Sequence, residues 1–321
     1  MTPPHPRSVA IAVPALAAGP VAARRSLAAL AADGARLVRP KIALMVLATV
    51  AAAFWLTAGR PADVRPLLWL LVGTALVAAS SSIANQILER ASDRLMPRTA
   101  DRPIAAGRLP VGAAWLATVA LLAAGVGVSV AAGGWPATLA SVATWAIYVV
   151  AYTPLKRLTP LNTAVGAVAG ALPVAIGWLA ADGPGRLGAG DARSALAAAA
   201  LGTVLYLWQF PHFMAIAWLY RHQYAAGGLK MLTVVDPTGL RAAGQALAAA
   251  LAMIPASLVL AVPSGSIRLF LAAALVAIVY AVSTVRFAVR RDDSAARGLL
   301  LVSLGSLLGL LVAAVTFGRP A

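Results

Sequence analysis

Only ten of the 321 residues are acidic and a single one is glutamate, so their positions are informative. Asn85, Glu89 and Asp93 stand at i, i+4 and i+8. At 3.6 residues per turn each step drifts by only about 40°, which puts all three on one helical face. Oxygen-only ligands with room for water and phosphate suit Mg²⁺, which takes one or two carboxylates and completes its octahedron with phosphate oxygens. Arg98 and Arg102 follow at i, i+4, and guanidinium forks grip phosphate oxygens bidentately. The set fits a diphosphate. The plainer alternative is a solvated loop whose carboxylates and arginines pair with one another.

Two other stretches carry chemistry. In Tyr152-Thr-Pro-Leu-Lys156-Arg157, Lys156 is placed to neutralise a leaving diphosphate, and Tyr152, one turn earlier, to hydrogen-bond it or face a carbocation. An interfacial tyrosine with a snorkelling lysine is the structural alternative. In Trp208-Gln-Phe-Pro-His-Phe-Met214, Gln209 and His212 lie one turn apart inside an apolar run. Ionisable groups within a span point to function by default, while a hydrogen-bonded packing histidine is the competing reading. Pro211 is expected to kink the helix and free a carbonyl there.

The elements that must position these groups are membrane spans. The chain is 61% hydrophobic and 11% charged, with a mean hydropathy of +0.86, far above a water-soluble domain. Runs of about 20 apolar residues are long enough to span a bilayer. Nine such runs occur, roughly over 41–58, 67–88, 111–132, 136–152, 162–181, 196–219, 242–262, 267–285 and 298–317. The expected fold is all-α, a polytopic membrane bundle of about nine transmembrane helices. Residues 1–38, rich in Ala, Pro and Arg, are expected to be a flexible cytoplasmic tail, with an interfacial helix as the second reading; 39–321 form the membrane domain.

Counting Lys and Arg in alternate connections puts 20 on the side of the N-terminus and six on the other. That split predicts a multi-pass protein of the cell (inner) membrane. The N-terminus and the loops at Asp93, Lys156 and Gln223 are expected in the cytoplasm and the C-terminus outside. It also accounts for the net charge of +16 without nucleic acid, which no basic run supports. There is no cysteine, so thiolate metal sites, disulfides and a cysteine nucleophile are excluded.

In order along the chain, Asn85-x3-Glu89-x3-Asp93 with Arg98-Thr-x-x-Arg102-Pro, Tyr152-x3-Lys156, Trp208-x-x-Pro-His212-Phe and Tyr224-Ala-Ala-Gly-Gly-x-x-Met-Leu resemble motifs of the UbiA-type intramembrane prenyltransferases. The last two are similar to segments of the haem-modifying branch, the protohaem IX farnesyltransferases. The resemblance spans about residues 40–315. It implies nine helices around a cavity, Mg²⁺ as cofactor, and farnesyl diphosphate and haem B as substrates. The allylic cation adds to a vinyl group and water supplies a hydroxyl, giving haem O. It further implies Asn85, Glu89 and Asp93 as metal ligands, Asp93, Tyr152, Lys156 and His212 as catalytic groups, and Arg98, Arg102 and Lys156 as diphosphate contacts. One departure stands out: acidic residues of the family pattern just before Tyr224 are replaced by His222 and Gln223. Either Asp236 substitutes as the second carboxylate, or Arg221 and Lys230 meet the diphosphate without metal, the reading preferred from sequence. Prenylation of an aromatic quinone precursor and transport of an anionic solute are the competing functions.

Overall fold

A computed structural model describes residues 26–59 and 63–318, and among these every regular element is helical. Eight helices are long and apolar enough to cross a membrane: Pro40–Ala58, Arg65–Asp93, Val111–Leu158, Asn162–Ala180, Ala192–Leu219, Leu240–Ser264, Ile267–Arg290 and Asp293–Phe317. At 1.5 Å per residue, 48 residues of straight helix would reach about 72 Å, more than twice a bilayer's apolar thickness. The Val111–Leu158 run is in fact broken at Gly134, whose φ of 72° leaves the helical region, with Pro136 restarting the helix. This one element therefore accounts for two of the expected spans, and the count of about nine holds.

The helices meet through small residues, as expected where lipid is as apolar as a side chain and close backbone approach supplies the contact. Gly73 faces Ser129, and Gly125 faces Val77, at the crossing of Arg65–Asp93 with Val111–Ala146. Ser80 donates to the Thr118 carbonyl (2.9 Å) and accepts from Trp145 Nε1 (3.0 Å) across the same seam. Gly177 lets Pro173–Ala180 lie against the backbone of Val50 and Phe54. The largest core gathers the C-terminal helices around Leu201, Met253, Tyr280, Phe287 and Leu299. Leu116, Leu271, Leu275 and Leu301 point outward, an apolar exterior suited to lipid.

The expected flexible tail needs correction in its described part; residues 1–25 lie outside the described residues. Leu27–Val38 is a helix, started by Ser26 accepting from the Ala29 amide (3.2 Å). Its C-terminal carbonyls are capped from the Arg65–Asp93 helix: Ser82 donates to Leu37 (2.7 Å) and Gln86 to Arg36 and Leu37. Arg108 ties Asp33 to Asp101, and Asp33 is the largest influence raising the Arg108 guanidinium above its ordinary value. Leu27 and Leu30 stay exposed, the face an interfacial helix offers to lipid. Arg39, in the left-handed region at φ 52°, then turns the chain into the first span.

Adding a methyl at Gly177 forces two backbones apart, whereas Gly202 has open space around its Cα. Gly177→Ala is expected to cost about 1–3 kcal/mol, read as a lower melting temperature in detergent, and Gly202→Ala to cost nothing. Equal melting temperatures would contradict this packing.

Candidate active site

The Arg65–Asp93 helix runs unbroken past the membrane end of its apolar segment, which keeps Asn85, Glu89 and Asp93 in helical register and buries all three. Each carboxylate is met by a cation from another loop. Lys156 Nζ lies 2.7 Å from Glu89 Oε1. Arg102 Nη1 reaches both oxygens of Asp93, at 2.8 and 2.7 Å, and stands 3.7 Å from Glu89 Oε2. Burial and repulsion from Arg39 pull the Arg102 guanidinium down from its ordinary value, against the attraction of Asp93.

Lys156 owes its position to a local irregularity. Ile147–Tyr152 is π-helical, and the Thr153 amide donates to the Tyr148 carbonyl five residues back. Pro154 explains it: a proline ring clashes with the carbonyl four residues earlier, and widening the turn relieves the clash. The extra residue sets the Tyr148 and Tyr152 rings 5.3 Å apart and carries Lys156 Nζ over the Tyr152 ring at 4.4 Å. Gly166 supplies the floor, since a Cβ there would press into the Tyr152 ring.

Arg98 and Arg102 reach different partners, because residues 94–107 form successive turns. Arg98 crosses to the loop before the seventh crossing. Its guanidinium stacks on Tyr220 at 4.3 Å, its Nη2 lies 3.2 Å from the Tyr224 hydroxyl, and its amide points to Gln223 Oε1 at 3.4 Å. The Lys230 amide donates to the Lys156 carbonyl at 2.7 Å. Three loops distant in sequence thus close on the Asn85–Asp93 stripe.

A cavity of about 600 Å³ opens beneath them. Five cationic side chains (Arg39, Lys41, Arg98, Arg102, Lys156) and two acidic ones (Glu89, Asp93) line its polar end, while Val46, Val77, Ile176, Leu205, Phe213 and Leu307 are among its apolar walls. Arg39 and Lys41 were read from the sequence only as topology-setting charges; their juxtamembrane position was the available signal. Deeper in, His212 lines the cavity, stacks on Trp208 at 4.8 Å between centroids, and places Nδ1 2.7 Å from Ser303 Oγ. Gln209 donates to the Ala167 and Leu205 carbonyls. The helix stays continuous through Pro211, and the Tyr280 hydroxyl donates to the Trp208 carbonyl on the preceding turn.

Other expected residues stay outside. Arg221 donates to the Trp218 carbonyl and Asp293, and Lys230 has an exposed side chain; neither lines the cavity. His222 is exposed as well. Asp236 accepts from the Thr238 hydroxyl (2.6 Å) and from the Thr238 and Arg241 amides, a turn that starts the Leu240–Val259 helix.

Among the described residues, no three of His, Cys, Asp and Glu converge as a metal cluster. A mixed amide and carboxylate set does fit Mg²⁺. The Thr153 hydroxyl gives its one proton to the Tyr148 carbonyl (2.8 Å), so it accepts from Asn85 Nδ2 (3.0 Å). That fixes the amide and leaves Asn85 Oδ1 buried with no partner, an unmet acceptor on the same face as Glu89 and Asp93.

The hydrogen bond from the Thr238 hydroxyl, foremost, holds the Asp236 carboxyl below its ordinary 3.8. A carboxyl lowered on folding contributes stability above that value and loses it as pH falls through the folded value. Asp236→Asn is expected to flatten the acid limb of the pH–stability curve below about pH 4 and to leave turnover at neutral pH intact. Loss of turnover with unchanged folding would make Asp236 a ligand after all.

The chain matches the family model described as "UbiA prenyltransferase family" over residues 46–315. It is 43% identical over 225 residues to the protoheme IX farnesyltransferase of Rhodopirellula baltica, covering 70% of this chain and 76% of that one. With the protoheme IX farnesyltransferase of Solibacter usitatus it shares 38% identity over 304 residues, 90% of this chain and 99% of the other. Its fold is similar to that of a UbiA homologue from Archaeoglobus fulgidus bound to GPP and Mg²⁺, with a TM-score of 0.63, 17% identity, and coverage of 88% and 99% of the two chains. By the family match over residues 46–315 and the identity to these relatives, the chain belongs to the UbiA prenyltransferase family, as an integral membrane protein.

Proposed function

We propose that the chain transfers the farnesyl group of farnesyl diphosphate to a vinyl group of haem B, forming haem O, with Mg²⁺ as cofactor. The carrying observation is the polar end of the cavity, where Glu89 and Asp93, with Asn85 buried on the same helical face behind them, meet an excess of cations above an apolar chamber. Relatives named protoheme IX farnesyltransferase support the acceptor, and the homologue bound to GPP and Mg²⁺ supports the donor class and metal. Asn85, Glu89 and Asp93 would hold Mg²⁺, which supplies Lewis-acid neutralisation of charge building on the departing diphosphate.

The chain's own residues do the rest. Lys156, Arg102 and Arg98 bind the diphosphate oxygens and stabilise them as the C1–O bond of the donor breaks. Arg98 takes the part that sequence reasoning gave to Arg221 and Lys230, because it lines the cavity beside Gln223 and they do not. Tyr152 and Tyr148 present ring faces to the allylic cation. The vinyl π bond closes the new C–C bond, and water captures the resulting porphyrin-side cation, releasing a proton. Apolar walls keep water from the first cation until the acceptor has reacted. His212, beside Trp208, faces the porphyrin as an iron ligand or as the proton acceptor. An aromatic quinone precursor would leave His212 without a task, and an anion transporter would need charge near mid-membrane rather than at one end.

We also propose that the loops bearing Asp93, Lys156 and Gln223 face the cytoplasm, from the 20 to six charge split. Since the chain has no cysteine, His222→Cys and Ala189→Cys provide single probes on opposite sides. Labelling of Ala189→Cys but not of His222→Cys by an impermeant maleimide in intact cells is expected; the reverse pattern inverts the topology.

Incubating purified protein with farnesyl diphosphate, Mg²⁺ and haem B is expected to yield a product with the mass of haem O; product only with an aromatic acid would replace the acceptor. Asp93→Asn is expected to lower turnover per folded molecule about 100-fold or more, and also to lower the melting temperature, because it leaves the buried Arg102 without its charge partner. Full activity in that variant would remove Asp93 from the site.

A further inference from the structure

The His212 ring is held by more contacts than packing requires. Trp208 stacks on it with an interplanar angle of 22°, and Trp208 Nε1 donates to the Ser303 carbonyl at 2.8 Å. Ser303 Oγ, on the last span, lies 2.7 Å from His212 Nδ1 and 2.6 Å from the Leu300 carbonyl oxygen. A serine hydroxyl has one proton to donate. Two oxygens at 2.6 Å need a hydrogen between them, and a carbonyl has none, so the Ser303 proton points to Leu300. The contact with the ring must then use a proton on Nδ1, with Ser303 as acceptor. In a neutral imidazole this leaves Nε2 bare. His212 is only partly shielded although it lies within a span, and its exposure is to the cavity.

We propose that Ser303 is a positioning residue that fixes the Nδ1–H tautomer of His212 and so presents an unprotonated Nε2 to the cavity, ready to bind iron or accept a proton. The tautomer follows from geometry alone, while its use rests on the haem reading above. Histidines that bind metal through one nitrogen characteristically donate from the other, and removing that acceptor typically costs 10–100-fold in affinity or activity. Ser303 is fully buried and does not line the cavity, which separates it from the residues placed to touch substrate.

The chain has three histidines, His5, His212 and His222, so ¹⁵N-histidine labelling gives few signals, and loss in His212→Ala assigns the one of interest. In the unaltered protein without substrate, the His212 ring is expected to show a protonated Nδ1 and a bare Nε2. A protonated Nε2 overturns the proposal with no variant needed. In Ser303→Ala the tautomers are expected to mix, and in Ser303→Thr, which keeps the hydroxyl, the Nδ1–H form is expected to return. An unchanged tautomer in Ser303→Ala also overturns it. Titration with haem B, followed by the Soret band, is expected to weaken about 10-fold in Ser303→Ala and to recover in Ser303→Thr. If the tautomer responds to Ser303 while haem binds His212→Ala as it binds the parent, the lock stands and the haem reading of His212 falls.

Discussion

Two carboxylates on one helical face, withdrawn from water at the membrane end of the bundle, impose the constraint on which the site depends. An unpaired charge in such surroundings is too costly to keep, so each acid has to be matched by a cation with good geometry. Glu89 takes Lys156 and Asp93 takes Arg102. Those partners are 67 and nine residues away, and bringing them in folds the Tyr152–Lys156 segment and the 94–107 turns onto the same helix end. The third loop follows, because the Lys230 amide bonds the Lys156 carbonyl and the tyrosines at 220 and 224 receive Arg98. Removing one member of a buried pair typically costs about 3–5 kcal/mol. The same groups that would bind a diphosphate are therefore also those that hold the loops together.

Beneath the charges, small residues make the chamber. Gly166 allows Tyr152 to lie flat across the Asn162–Ala171 helix, and Gly170 leaves room for Gln209, whose amide is occupied by two backbone carbonyls. Pro154 widens the helix at the polar end, and Trp208 and Ser303 orient a histidine farther down. A polar clamp and an aligned imidazole thus face each other across apolar space, an arrangement suited to an amphiphile with one charged end.

Helix existence and the Asn85, Glu89, Asp93 register were legible in the sequence, because both depend on local period and the structure keeps the helix unbroken to Asp93. The nine apolar runs were legible for the same reason, even where two of them join through Gly134. What could not be read was every choice made by tertiary contact. Arg102 turned to Asp93 and Arg98 to Tyr220 because residues 94–107 are turns, not helix. Arg39 and Lys41 looked like topology charges because nothing local tells a juxtamembrane cation that lines a cavity from one facing lipid headgroups. Helix Leu27–Val38 was hidden by its alanine-rich composition, which suits a loose tail and a short helix equally. Its position depends on Ser82 and Gln86, more than 40 residues away.

The replacement of acid by amide at Gln223 gains a physical meaning from this arrangement. Glu89 and Asp93 are balanced by Lys156 and Arg102, which leaves Arg39, Lys41 and Arg98 as uncompensated positive charge along the cavity. A carboxylate at 223, beside the Arg98 amide, would draw on that excess and call for a further cation to restore it. An amide oxygen accepts the same N–H without adding charge. On that side this chain keeps Arg98 stacked on Tyr220 and bonded to the Tyr224 hydroxyl, so negative charge on a substrate there would meet a guanidinium directly. Arg221 and Asp236, the other candidates near that loop, are already satisfied by Asp293 and by a turn. On the proposed reading, the charge that a second metal would bring is supplied instead by Arg39, Lys41 and Arg98, whose direction into the cavity only the folded chain reveals.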